Sequence, residues 1–285
     1  MEYIKKERYK GILAALLAST LWSTGGLFVK LIDWNPVAIA GMRSFSAALV
    51  LFAYIRKPKF TKSKAQILGT ITYALTVLSF IIANKLTTAA NAILLQYTSP
   101  IFVAILGVWI LKEKIHWYDI VPIFTVSLGM GLFFISDVST GNIIGNLLAI
   151  FCGFTLACTT IALKFEKDGS GLEIPLFGNI LTFLISIPFI LLDLQDKSSL
   201  MTVSIMGIIQ LGVPFIFYGY AMKRLTALEA ILLTVMEPLL NPIWVFIFSG
   251  EKPGIFTVIG GVIVITSVIL RSIYISNKIK IQVME

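Results

Sequence analysis

The chain has 285 residues, 57% of them hydrophobic and only 13% charged, with a mean hydropathy of +0.91. A soluble domain carries about 25% charged residues, so this composition excludes an ordinary soluble enzyme and points to a polytopic membrane protein. The net charge of +8 is spread in short basic runs between apolar segments, a membrane-topology pattern rather than a nucleic-acid surface, and no nucleic-acid partner is expected.

Ten apolar segments of spanning length succeed one another, each bounded by polar or turn residues. The first, at about 11–32, carries Trp22, Ser23 and Thr24 and lacks a small-residue cleavage site, so it reads as a retained helix rather than a signal peptide. The second, at about 36–55, holds Arg43, roughly 10 Å inside its start. The third, at about 66–84, carries Tyr73, Ser79 and Asn84. The fourth, at about 89–111, places Gln96, Tyr97 and Thr98 just before Pro100. A short loop with the only histidine, His116, leads to the fifth, at about 118–136. The sixth, at about 143–164, contains both cysteines, Cys152 and Cys158, six residues apart and on different helix faces. That spacing suggests small packing residues, with no disulfide, metal site or nucleophile. The seventh lies at about 174–192, and the eighth, at about 203–222, carries Gln210, Tyr218 and Tyr220. The ninth and tenth lie at about 227–249 and 254–275. No loop is long enough for a soluble catalytic domain.

Lysine and arginine fix an expected orientation. Lys5, Lys6, Arg8, Lys10, Arg56, Lys57, Lys59, Lys62, Lys64, Lys112, Lys114, Lys164, Lys167, Lys223, Arg224, Arg271, Lys278 and Lys280 fall on one side. Only Lys30, Lys85, Lys197 and Lys252 fall on the other. A cell-membrane protein with both termini cytoplasmic is expected.

The chain also repeats itself. A shift of 138 residues lays Thr88, Ala89, Ala92, Pro100, Glu113 and Lys114 on Thr226, Ala227, Ala230, Pro238, Glu251 and Lys252 without a gap. The expected units are 1–137 and 138–285, each with five spans. An odd number of spans per unit inverts one against the other. Inverted repeats are a mark of secondary transporters, whose binding sites lie near the midplane between the halves.

The ninth segment holds the sharpest candidate. Glu237 sits roughly 15 Å along the helix from Ala227. Asn241 and Trp244, four and seven residues later, share its face. A carboxylate at that depth persists only facing protein, water or a partner charge. It reads either as a proton carrier or ligand for a substrate amine, or as a structural carboxylate. Its counterpart in the first half is Ser99. Pro100 and Pro238 each remove a backbone donor, freeing a carbonyl near Gln96 or Thr234 that must find another partner. Each kink reads as a cavity-lining hinge or as static packing. Arg43 stays charged and needs a partner, whether a substrate carboxylate, Glu237 or the interface. Gln96, Tyr97, Tyr73, Trp22, Gln210 and Tyr218 are the remaining candidates for a small-molecule cavity. Glu229, about one turn inside the membrane, is expected near Lys223 or Arg224. Glu113 and Glu251 read as boundary residues or gate ion pairs.

Trp22, Arg43 within AGMRSFSAALVL, and the segments SPIFVAILGVWILKEK and MEPLLNPIWVFIFSGEK resemble the EamA-type, ten-helix members of the drug/metabolite transporter superfamily. The resemblance covers almost the whole chain. It implies an all-α polytopic membrane fold of ten transmembrane helices as two inverted five-helix repeats. It also implies transport of small organic metabolites, often outward. With Glu237 and Arg43 offering opposite charges beside aromatic walls, the reading is alternating-access export of amino acids or related amphipathic amines, with protons as a candidate coupling ion. Uptake or exchange of another metabolite, such as a nucleoside derivative, is the alternative. An intramembrane lipid-modifying enzyme would need more converging acidic or histidine residues, and a receptor or purely structural protein would need neither the repeat nor the buried charge. No Walker-type loop, His/Cys metal cluster or nucleophilic triad is found, so no enzyme activity, cofactor or metal is expected. Membrane lipids and a small-molecule substrate are the expected partners; a monomer and a homodimer are both compatible.

Overall fold

A computed structural model describes residues 2–24, 32–133, 135, 142–167, 169, 171–193, 197–249 and 254–282. Within the helices, the side chains of residues 2–5, 89–90, 133, 193, 197–198, 241–242, 244–246, 248–249 and 276–282 are not described. The described residues form helices and turns, with no strand among them. In hydrocarbon every backbone N–H and C=O needs an internal partner, and a helix supplies one within each segment.

The helix starts are written in the sequence. Asn35 accepts from the Val37 N–H at 2.9 Å ahead of α2 (Pro36–Ile55). Ser63 accepts from Gln66 at 3.0 Å ahead of α3 (Lys64–Leu86). Thr88 caps α4 (Ala89–Gln96) by accepting from Asn91 at 3.1 Å. Thr226 caps α11 (Ala227–Leu233) by accepting from Glu229, also at 3.1 Å. These two threonines are partners in the 138-residue shift, and they perform the same capping in both halves.

The fourth and ninth segments are interrupted rather than merely bent. A turn at Tyr97–Thr98 separates α4 from α5 (Ser99–Leu106), which continues as a π-helical turn, Gly107–Leu111. A turn at Thr234–Val235 separates α11 from α12 (Met236–Ser249). The other elements are α1 (Glu2–Trp22), α6 (Trp117–Phe133), α7 (Ile143–Phe165), α8 (Glu173–Asp193), α9 (Lys197–Gly207), α10 (Val213–Met222) and α13 (Ile255–Gln282). A second π-helical turn, Ile208–Gly212, joins α9 to α10. Each π turn adds a residue to the helix register and re-aims the side chains beyond it.

Among the described residues, seven helices are long and apolar enough to cross a membrane: Pro36–Ile55, Lys64–Leu86, Asn91–Leu111, Ile143–Phe165, Glu173–Leu192, Ser199–Met222 and Ile255–Ile275. Trp117–Leu132 is a shorter apolar helix. Of the expected first segment, 11–32, residues 25–31, including Gly25, Gly26 and Lys30, lie outside the described residues. Glu251 and Lys252 lie outside them too.

The principal packings are α3 along α7, α1 along α10, α2 along α8, and α6 along α13. Further contacts join α3 to α8, α9 to α2, α4 and α5 to α7, α11 and α12 to α1, and α5 to α11. Leu, Ile and Phe side chains remain exposed along many helices, as does Val262 on α13; examples are Leu68 on α3, Phe124 on α6 and Leu191 on α8. Such an outer surface suits lipid rather than water.

Candidate functional site

The two interruptions meet. Tyr97, at the end of α4, reaches across to the turn between α11 and α12. Its hydroxyl lies 2.8 Å from the Thr234 carbonyl and 2.9 Å from Glu237 Oε2. The reason is in the backbone. Pro238 has no N–H, so the carbonyl four residues earlier, that of Thr234, loses its α-helical donor. Thr234 recovers the Glu237 N–H at 2.9 Å and the Tyr97 hydroxyl. The proline alone identifies the freed carbonyl; the residue that satisfies it comes from the other half of the chain.

The phenol has one proton and faces two oxygens. With Glu237 protonated, the carboxyl donates to the phenol and the phenol donates to Thr234, so all three groups are satisfied. With Glu237 ionised, the phenol must divide its proton between carboxylate and carbonyl.

The first-half interruption is built differently. Pro100 frees the Gln96 carbonyl, and α7 approaches it through Gly153. A Cβ on Gly153 would lie 2.7 Å from that carbonyl oxygen and 2.8 Å from Thr98 Oγ1. Ser99, the counterpart of Glu237, is fully buried, and its hydroxyl has no hydrogen-bond partner among the described residues.

A cavity of about 110 Å³ lies beside these interruptions. Trp22, Arg43, Tyr73, Gln96 and Tyr97 line it from the first half. Gln210, Tyr218, Glu237 and Pro238 line it from the second half. All nine of these positions are candidates on sequence grounds. Pro100 is buried in α5 and does not line the cavity. The side chains of Asn241 and Trp244 lie outside the described residues.

Phe215 is not among the sequence candidates, yet it organises the aromatic wall. Its ring centroid is 5.3 Å from Trp22, 4.9 Å from Tyr73 and 6.2 Å from Tyr218, in edge-to-face arrangements. It stands one helical turn before Tyr218, and that i, i+3 spacing is the available signal. Asn179, on α8, donates to the Tyr73 hydroxyl at 2.9 Å and so fixes that ring.

Arg43 and Glu237 face the same cavity, but no ion pair joins them. The backbone of α2 is locked at Arg43 by α9. A Cβ on Gly207 would lie 2.3 Å from the Arg43 carbonyl oxygen, so only glycine permits this contact.

At the lysine-rich end the helices are tied by polar contacts. Glu229 pairs with Arg8 of α1, not with Lys223 or Arg224, because Arg224 is engaged at 2.8 Å by Glu7. Lys164 donates to the carbonyls of Met222 (2.9 Å) and Leu225. Glu113 accepts from the Ala227 N–H at 3.3 Å, at the start of α11. Burial pushes the Glu113 carboxyl up from its ordinary value, while that N–H and Lys164 oppose the shift. Between α6 and α13, Asp119 and Arg271 form a buried pair at 2.7 Å.

Comparison with known proteins gives a consistent picture. The sequence model of the EamA-like transporter family matches residues 9–136 and again 143–273. An uncharacterized transporter of Archaeoglobus fulgidus is 24% identical, over 95% of this chain and 98% of its own. The pseudopaline exporter CntI of Pseudomonas aeruginosa is 23% identical, over 92% of this chain and 95% of its own. A solved crystal structure covers 94% of this chain and 98% of its own with a TM-score of 0.77 at 17% identity, which shows a shared fold.

Proposed function

Because the chain belongs to the EamA-like transporter family, we propose that it is a secondary transporter of small organic metabolites, working by alternating access and exporting amino acids or related amphipathic amines. The observation that carries this reading is the central cavity, where an aromatic wall, a buried guanidinium and a carboxylate converge beside two interrupted helices. Mostly apolar walls with few placed polar groups suit a small organic molecule. Interrupted helices that meet beside a cavity suit a transport site.

The proposed architecture is ten spans in two inverted units, 1–137 and 138–285. The packing supports it. Exchanging each first-half segment for its second-half counterpart turns the contact of α3 with α7 into that of α10 with α1. The same exchange turns α3 with α8 into α9 with α2, and leaves α2 with α8 and α6 with α13 unchanged. The two halves then rock about these shared seams. In this proposal the lysine-rich end, tied by Arg8–Glu229 and Lys164, closes the cavity on the side that the positive-inside pattern assigns to the cytoplasm.

In the proposed cycle Glu237 carries the coupling proton or holds the substrate amine. Protonation completes the chain from Glu237 through Tyr97 to Thr234. Ionisation divides the phenol between two acceptors and loosens the turn between α11 and α12. A ligand moves the equilibrium between cavity states only by its differential affinity for them, and this joint is where that difference would arise. The outward direction is supported by the exporter name of the Pseudomonas aeruginosa relative.

Reconstitution into liposomes tests the proposal. Purified protein is expected to drive counterflow of at least one amino acid or amphipathic amine from a metabolite panel. Movement of no panel member would sink the transporter reading. Movement of nucleoside derivatives alone would overturn the substrate class.

A further inference from the structure

Arg43 makes no hydrogen bond and no ion pair among the described residues, although it is only 6% exposed. Its Nε is fully enclosed without a partner, and its side chain lines the central cavity. A guanidinium cannot shed its charge, and a buried one without an anion is costly. Among the described residues, the only other charged side chain lining the cavity is Glu237, which is not paired with Arg43 and has Tyr97 at hydrogen-bond distance. Two neighbouring groups do not relieve Arg43. The Tyr73 hydroxyl is held by Asn179, and the Gln210 amide donates to the Thr24 carbonyl at 3.0 Å.

Gln210 adds a second open valence. It is 3% exposed, and its Oε1 is enclosed with no donor among the described residues. It lies in the π-helical turn Ile208–Gly212, directly after the Gly207 that abuts the Arg43 carbonyl. The backbones carrying both groups are therefore fixed against each other. The cavity lining thus presents an unmatched planar cation, an unmatched acceptor and a carboxylate.

We infer that this cavity recognises a carboxylate: the substrate's carboxylate docks on the Arg43 guanidinium, and its ammonium is taken by Gln210 Oε1 and Glu237. The inference rests on the transporter reading and narrows it. Amphipathic amines without a carboxylate leave Arg43 unmatched and are excluded as substrates. A guanidinium fork accepts both carboxylate oxygens at once, which an uncharged carboxamide cannot replace.

The test uses the full chain in detergent and ligand sets that differ only at the carboxyl carbon. Alanine, leucine and phenylalanine are compared with their carboxamides and their decarboxylated amines by calorimetry. At least one amino acid is expected to bind at least about 30-fold more tightly than its amide or amine. Arg43→Gln is expected to abolish that discrimination. The wild-type series decides the matter even where the variant fails to fold. Equal binding of acid and amide, or no binding by any carboxylate, would overturn the inference. So would binding of chloride alone that depends on Arg43. None of these results touches the transporter reading, which fails only if liposome counterflow is also absent.

Discussion

The phenol of Tyr97 carries one proton between two oxygens, the Thr234 carbonyl at 2.8 Å and Glu237 Oε2 at 2.9 Å. Removing it leaves the proline-freed carbonyl with only the Glu237 N–H and leaves Glu237 without a neutral partner. A buried polar group stripped of its partner costs about 1–3 kcal/mol. Tyr97→Phe is therefore expected to lower the thermal midpoint in detergent and to slow transport, with the ring wall still in place. An unchanged midpoint and rate would show that the phenol is idle. Sequence reasoning locates the gap that Pro238 makes but not the donor that fills it. Tyr97 lies 137 positions before Thr234, and nothing local to either residue encodes the reach between them. Glu229 teaches the same lesson. Its sequence neighbour Arg224 is taken by Glu7, and its partner is Arg8, 221 positions away.

At the scale of elements, the interrupted helices rely on close backbone approaches. Thr88 and Thr226, aligned by the repeat, cap α4 and α11 in the same way. The prolines mark where helical continuity is lost, at the turns Tyr97–Thr98 and Thr234–Val235 just before them. The π turns were not legible, because Gly107–Leu111 and Ile208–Gly212 lie in runs whose apolar pattern a regular helix would also satisfy. Gly153 lets α7 approach the first interruption closely. A Cβ there would meet the Gln96 carbonyl at 2.7 Å, and backbone cannot swing aside as a side chain can. Overpacking of this kind costs about 1–3 kcal/mol, so Gly153→Ala is expected to destabilise the protein in a thermal-unfolding assay. At Gly131, where an added Cβ meets nothing within 4 Å, alanine serves as the control and is expected to be silent. Equal effects at the two positions would contradict the packing described.

The lysine-rich end is tied by contacts between segments far apart in the chain. The Arg8–Glu229 pair ties α1 to α11 with side chains 11% and 5% exposed. Leaving one partner of a buried pair uncompensated is destabilising by about 3–5 kcal/mol, and less at a hydrated membrane interface. Arg8→Glu alone is expected to increase labelling of a cysteine placed at Ala230, one turn into α11. Restoring the pair with opposite polarity, by adding Glu229→Arg, is expected to reverse that increase. Failure of the double variant to recover protection would show that the pair does not guard this end. The family, the helical class and the repeat were legible because all are carried by hydropathy, caps and prolines. The ion pairs between distant segments were not, because they depend on which charges meet in space.

The most direct measurement is counterflow of an amino acid into proteoliposomes at stepped external pH, for the unaltered chain and for Glu237→Gln. The proposed mechanism predicts saturable counterflow for the unaltered chain whose rate changes with pH. For Glu237→Gln, folded by size-exclusion chromatography, it predicts slower counterflow with a flattened pH profile. Identical rates and pH profiles for the two proteins would contradict the assignment of Glu237 to the coupling site.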